Sequence, residues 1–62
     1  MDYEMFLAAA RAWNLASSQA RELNSRLEAL PRGEACPELW SAYCAAVQRR
    51  IDAREMAYKA KR

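Results

Sequence analysis

Glycine and proline fall in one place only. The single glycine and both prolines lie within "LPRGEACP", as Pro31, Gly33 and Pro37. On either side run long stretches with nothing that breaks a helix. The pattern predicts an all-α antiparallel two-helix hairpin: helix 1 over about residues 3–30, a loop at 31–36, and helix 2 over about 37–60. Asp2 is a candidate N-cap, and Glu4 suits the positive end of the first helix dipole. Pro31 disfavours helical geometry at Leu30 and ends the run. Pro37 fits a first helical position, with Glu38 behind it. The basic cluster Lys59, Lys61 and Arg62 complements the negative end of helix 2. The chain reads as one helical-hairpin domain, residues 1–62.

Apolar spacing turns this into a packing expectation. In helix 1, Phe6, Ala9, Trp13, Ala16, Ala20, Leu23, Leu27 and Leu30 alternate by three and four, an unbroken coiled-coil seam. In helix 2, Trp40, Cys44, Val47, Ile51, Arg54 and Tyr58 make a comparable series, with Tyr43 flanking. Arg54 is the discordant member, and its stem can pack while its head reaches water. An antiparallel hairpin would also set Asp2 and Glu4 beside Lys59 and Lys61.

One seam does not exhaust the apolar surface. With Phe6 at a heptad a position, Leu7 falls at b, Leu15 at c and Met5 at g. The N-terminal half of helix 1 is therefore apolar around its circumference, while Arg21, Glu22, Ser25 and Glu28 make the other half amphipathic. A chain of 62 residues buries only roughly 60% of its unfolded surface and needs reinforcement. Cysteine does not supply it. Cys36 and Cys44 sit about 12 Å apart along a helix, against the roughly 7 Å a disulfide tolerates, so two free thiols are expected. There is no histidine, and no metal or cofactor is expected. Another chain is the remaining support. Covering Leu7, Leu15 and one tryptophan removes roughly 300–400 Å² of apolar surface, on the order of 8–10 kcal/mol gross. The expected partner of least complexity is a second copy, giving a homodimeric four-helix bundle, because the alanines allow another helix to come close.

Several function classes are excluded or reduced. No apolar run reaches the 18 or so residues of a membrane span, and Asp2 with Glu4 is the wrong charge for a signal peptide, so a cytoplasmic protein is expected. Without histidine the usual general base is missing. Ser17, Ser18, Ser25 and Ser41 lie in helical stretches, and one glycine cannot make a phosphate-cradling loop. Glu22/Arg26 and Glu55/Lys59 read as i,i+4 helix pairs. The protein is therefore expected not to be an enzyme.

Two classes stay open. The segment from Arg49 to Arg62 also holds Arg50, Arg54, Lys59 and Lys61, a positive patch suited to a small nucleic-acid-associated regulator. Yet the net charge is only +2, and the long continuous helices do not suit a helix-turn-helix. Protein binding is the preferred class, since tryptophan and tyrosine dominate binding hot spots and an apolar helix face suits helix-in-groove recognition. The candidate anchors are Leu7, Trp13, Leu15, Trp40 and Tyr43, with Arg11 and Arg50 at the rim. Trp13 and Trp40 also fit a core role, as both fall on the seams. The loop "RGEACPELW" and its hairpin resemble the small helical-hairpin co-chaperones of type III secretion needle subunits. That resemblance implies stoichiometric binding of another protein. Small phage- or plasmid-encoded inhibitors of a host factor form a second class of the same kind. The expected function is thus a non-enzymatic adaptor, inhibitor or co-chaperone with a protein partner.

Overall fold

Asp2 opens the first helix. In a computed structural model, which describes residues 1–61, its carboxylate Oδ1 accepts the Met5 backbone N–H at 3.0 Å. One otherwise orphaned donor at the helix start is thereby satisfied. Helix α1 spans Tyr3–Glu28, two residues short of the sequence expectation. The Leu30 N–H bonds back to the Leu27 carbonyl at 3.2 Å, tightening the last turn. Pro31 keeps Leu30 from continuing the α-helical series. In the loop, the Glu34 N–H reaches the Pro31 carbonyl at 3.0 Å, and Gly33 takes a φ of 89°. A positive φ at the third residue of such a turn favours glycine there. Helix α2 spans Pro37–Ala60, with the proline in its first turn as expected.

The two helices pack side by side as a thin layer, 48 × 14 × 12 Å between Cα extremes. Their antiparallel course is fixed at the open end, where the Asp2 N–H donates to the Ala60 carbonyl at 3.0 Å. Every expected seam position of α1 lies inward: Ala9, Ala16 and Ala20 are buried, and Phe6, Trp13, Leu23, Leu27 and Leu30 are half-buried.

The seam of α2 differs from the expectation. Ala46, Ala53 and Ala60 are buried and Leu39, Tyr43 and Ala57 half-buried, whereas Trp40, Cys44, Ile51, Arg54 and Tyr58 are exposed. Of the expected series only Val47 stays half-buried. The helix is turned by one residue, about 100°, onto a second heptad series: Leu39, Tyr43, Ala46, Arg50, Ala53, Ala57 and Ala60. Packing explains the choice. Alanines of α1 facing alanines of α2 bring two backbones together, while indoles and phenols at the same height would hold them apart. The bulky residues consequently move to the flanks.

The expected charge pairing at the open end does not form. The Asp2 carboxylate caps its own helix, and the Lys61 ammonium lies over the Phe6 ring, 5.6 Å from its centroid. Glu55 and Lys59 make no ion pair either. Among the described residues the pair that forms is Glu22–Arg26, at 2.9 Å on the exposed surface, a contact of a few tenths of a kcal/mol. Arg62, a member of the expected basic cluster, lies outside the described residues. Both cysteines are free, Cys36 half-buried and Cys44 exposed. Among the described residues no helix is long and apolar enough to cross a membrane.

Candidate functional site

Two helices lying side by side leave a face on either side of their seam, and the alanines there decide what each carries. The buried residues are Ala9, Ala16, Ala20, Ala46, Ala53, Ala60 and Ser17. Nothing larger than a serine is fully enclosed, so every aromatic ring and long aliphatic chain has part of its surface outside.

One face collects the rings. Phe6 and Trp13 of α1 line an open cleft of about 290 Å³ with Arg54, Tyr58 and Lys61 of α2. Three cations lie on these rings: the Arg50 guanidinium 5.0 Å from the Trp13 centroid, Arg54 5.6 Å from Tyr58, and Lys61 5.6 Å from Phe6. A cation over a ring face is held by the ring quadrupole, on the order of 0.5–1 kcal/mol at exposed sites. The heptad row of Arg54 and Lys61 continues back through Val47 to Trp40, which packs 5.7 Å from Tyr43. Trp40 in turn walls a second cleft, about 510 Å³, with Leu27, Leu30, Cys36 and Pro37 at the loop end. The aromatic face thus carries two open clefts between the helices, a mainly apolar one at the loop end and one rimmed by Arg54 and Lys61 at the open end.

The opposite face lacks rings among the described residues and sets small residues between longer chains. Ala12, Leu15 and Gln19 of α1 meet Arg49, Asp52 and Met56 of α2 around a cleft of about 240 Å³. Glu22, Arg26, Ala42 and Ala45 continue it toward the loop. Charges of both signs occur here.

The residues singled out from the sequence are distributed over different surfaces. On the aromatic face Trp13 pairs with Arg50, and Trp40 with Tyr43 nearer the loop. Trp40 is 58% exposed, so its place is at the loop-end cleft and not in a core. Leu7, Arg11 and Leu15 follow one another at i, i+4 and i+8 along the outer ridge of α1. Leu15, 62% exposed, borders the small-residue face, while Leu7 is 36% exposed and lies apart from both clefts. Phe6, Arg54, Tyr58 and Lys61 were not among the sequence candidates. Their signal was the alanine series at 46, 53, 57 and 60. Once that series is read as the seam, Arg54 and Tyr58 move outward.

Among the described residues the basic C-terminal segment is divided between the two faces. Arg49 lies on the small-residue face, near Asp52, while Arg50, Arg54 and Lys61 lie over rings on the other. Among the described residues no group of three or more histidine, cysteine or carboxylate side chains is placed to hold a metal ion. Comparison with protein-family models, curated proteins and solved structures finds no match to this chain, and so nothing that ties its loop to the needle-subunit co-chaperones.

Proposed function

We propose that this hairpin acts by stoichiometric, non-catalytic association with other polypeptides, as an adaptor, inhibitor or co-chaperone. It works by covering apolar surface, its own and its partner's, without turnover. The observation that carries this reading is the make-up of the core: six alanines and one serine are buried, while Trp40, Tyr58, Leu15, Ile51 and Met56 are all more than two-fifths exposed. A hairpin of this size has little burial of its own to offset its ordering entropy. Large apolar chains left outside it are the material of an interface.

Self-association is the first such contact. Two hairpins pairing through their small-residue faces make a four-helix bundle, because alanines permit close approach and the mixed charges there can pair across a two-fold axis. Sedimentation equilibrium, with helicity followed on dilution, tests it. Dimers at micromolar concentration with helicity lost on dilution are expected, and a stable folded monomer would overturn the bundle. Nucleic-acid binding through the C-terminal end loses ground because its cations are divided between two faces. Salt-dependent affinity for a random duplex would restore it.

A further inference from the structure

We infer that the aromatic face accepts one acidic amphipathic helix from another protein, laid between α1 and α2 to complete a three-helix bundle. The inference rests on the protein-binding reading above and adds to it the surface and the chemistry of the partner.

Shape comes first. The groove between two packed helices is the ordinary seat of a third. From Trp40 to Lys61 it runs roughly 30 Å at 1.5 Å per residue, so a helix of about twenty residues fills it. Its floor presents Val47 and, beneath the Arg50 and Lys61 side chains, Trp13 and Phe6, with a cleft toward each end. Such a floor suits apolar residues at three-and-four spacing.

Charge then selects the occupant. Arg50, Arg54 and Lys61 follow the groove at spacings of four and seven. None makes an ion pair among the described residues; each lies on a ring instead. Carboxylates on a docked helix would meet cations that are already held in place, with little further side-chain freedom to lose. The partner is polarised too, with its acidic stretch over the open end and its apolar stretch over Trp40.

A second copy is the less suitable occupant. A copy would bring the same cations, Arg50, Arg54 and Lys61, and among the described residues the lining of the open-end cleft holds no carboxylate to meet them. A nucleic acid is less suitable as well. It would need free ring faces to stack bases, and the Trp13, Tyr58 and Phe6 faces carry cations.

The test uses two synthetic helical peptides of about 21 residues, both with leucine at a and d. One carries glutamate at the flanking positions and the other lysine. Binding to the full chain is read from tryptophan emission at low salt and at about 0.15 M. The glutamate peptide is expected to bind at least tenfold tighter, with the margin narrowing as salt rises. Arg54→Glu with Lys61→Glu, both solvent-exposed positions, should invert the preference while leaving circular dichroism unchanged. Equal affinity for the two peptides, or a preference that survives the charge reversal, overturns the inference. So does displacement of the peptide by a single-stranded oligonucleotide, or loss of self-association in Trp40→Glu. A chain that dimerises yet binds neither peptide defeats this inference alone. A folded monomer that binds neither defeats the proposed function with it.

Discussion

The two faces of the hairpin share one seam and differ in everything placed on it. On the small-residue side Ala12, Ala42 and Ala45 lie among the exposed Leu15 and Met56, and Glu22, Arg26, Arg49 and Asp52 supply both charges. On the aromatic side Phe6, Trp13, Trp40 and Tyr58 gather, with Arg50, Arg54 and Lys61 on or beside the rings and Glu34 at the loop-end cleft. On the proposed reading the first surface meets its own copy and the second takes an unlike, acidic partner. The difference teaches where a very small core leaves its bulk. An alanine seam encloses only alanine-sized groups, so bulk that would ordinarily be buried is left on the flanks, Trp40 and Tyr58 on one side and Leu15 and Met56 on the other.

The severest way to break the comparison is to spoil the seam that both faces depend on. Ala46 is fully buried. Ala46→Leu adds three carbons where two backbones meet, and overpacking of this kind costs about 1–3 kcal/mol. In so small a layer that is a large part of the stability. Circular dichroism should show a strongly lowered melting transition, and both self-association and peptide binding should fall together. An unchanged transition would mean that the alanine contact is not what holds the hairpin. A smaller and more selective effect comes from Leu15→Glu with Met56→Glu. Leucine, methionine and glutamate have similar helix propensities, so the hairpin should persist. The dimer dissociation constant should rise at least tenfold, about 1.4 kcal/mol, with binding of the glutamate peptide unaltered. Loss of both activities at once would show that the faces are not independent.

Much of this fold was legible in the residues, and the point at which reading failed is instructive. Pro31, Gly33 and Pro37 located the loop, Asp2 and Pro37 located the helix starts, and the three-and-four spacing in α1 located its buried side. In α2 two interleaved series were present, one bulky and one of alanines. Ranking by hydrophobicity favours Trp40, Val47, Ile51 and Tyr58. Close packing against Ala9, Ala16 and Ala20 favours Ala46, Ala53, Ala57 and Ala60. The second criterion depends on the facing helix, so nothing local to α2 could reveal it. The candidate site inherited the same division. Trp13, Trp40, Tyr43 and Arg50 were found from residue type alone. Phe6, Arg54, Tyr58 and Lys61 required the correct rotation of α2, and so did the separation of Leu15 from the rings.

The gentlest way to sharpen the comparison removes a single oxygen. Ser17 is 7% exposed, and its Oγ has no hydrogen-bond partner. It follows Ala10 by one heptad, on the aromatic side of the seam, where an alanine would fit with the rest. Enclosing a hydroxyl without a partner costs roughly 1–3 kcal/mol in general, less whatever the neighbouring helix carbonyls recover. Ser17→Ala should therefore stabilise the hairpin by up to about 1 kcal/mol, raising its melting temperature by roughly 4–8 °C. Because the hydroxyl is sealed from solvent, a partner on the aromatic face cannot reach it, and affinity for the glutamate peptide should not change. A gain in stability without a change in binding would separate the two roles of that flank: the seam edge that holds the helices together and the ring surface above it that recruits a partner. A fall in affinity would instead mean that the docked helix penetrates to the seam and supplies the acceptor Ser17 lacks.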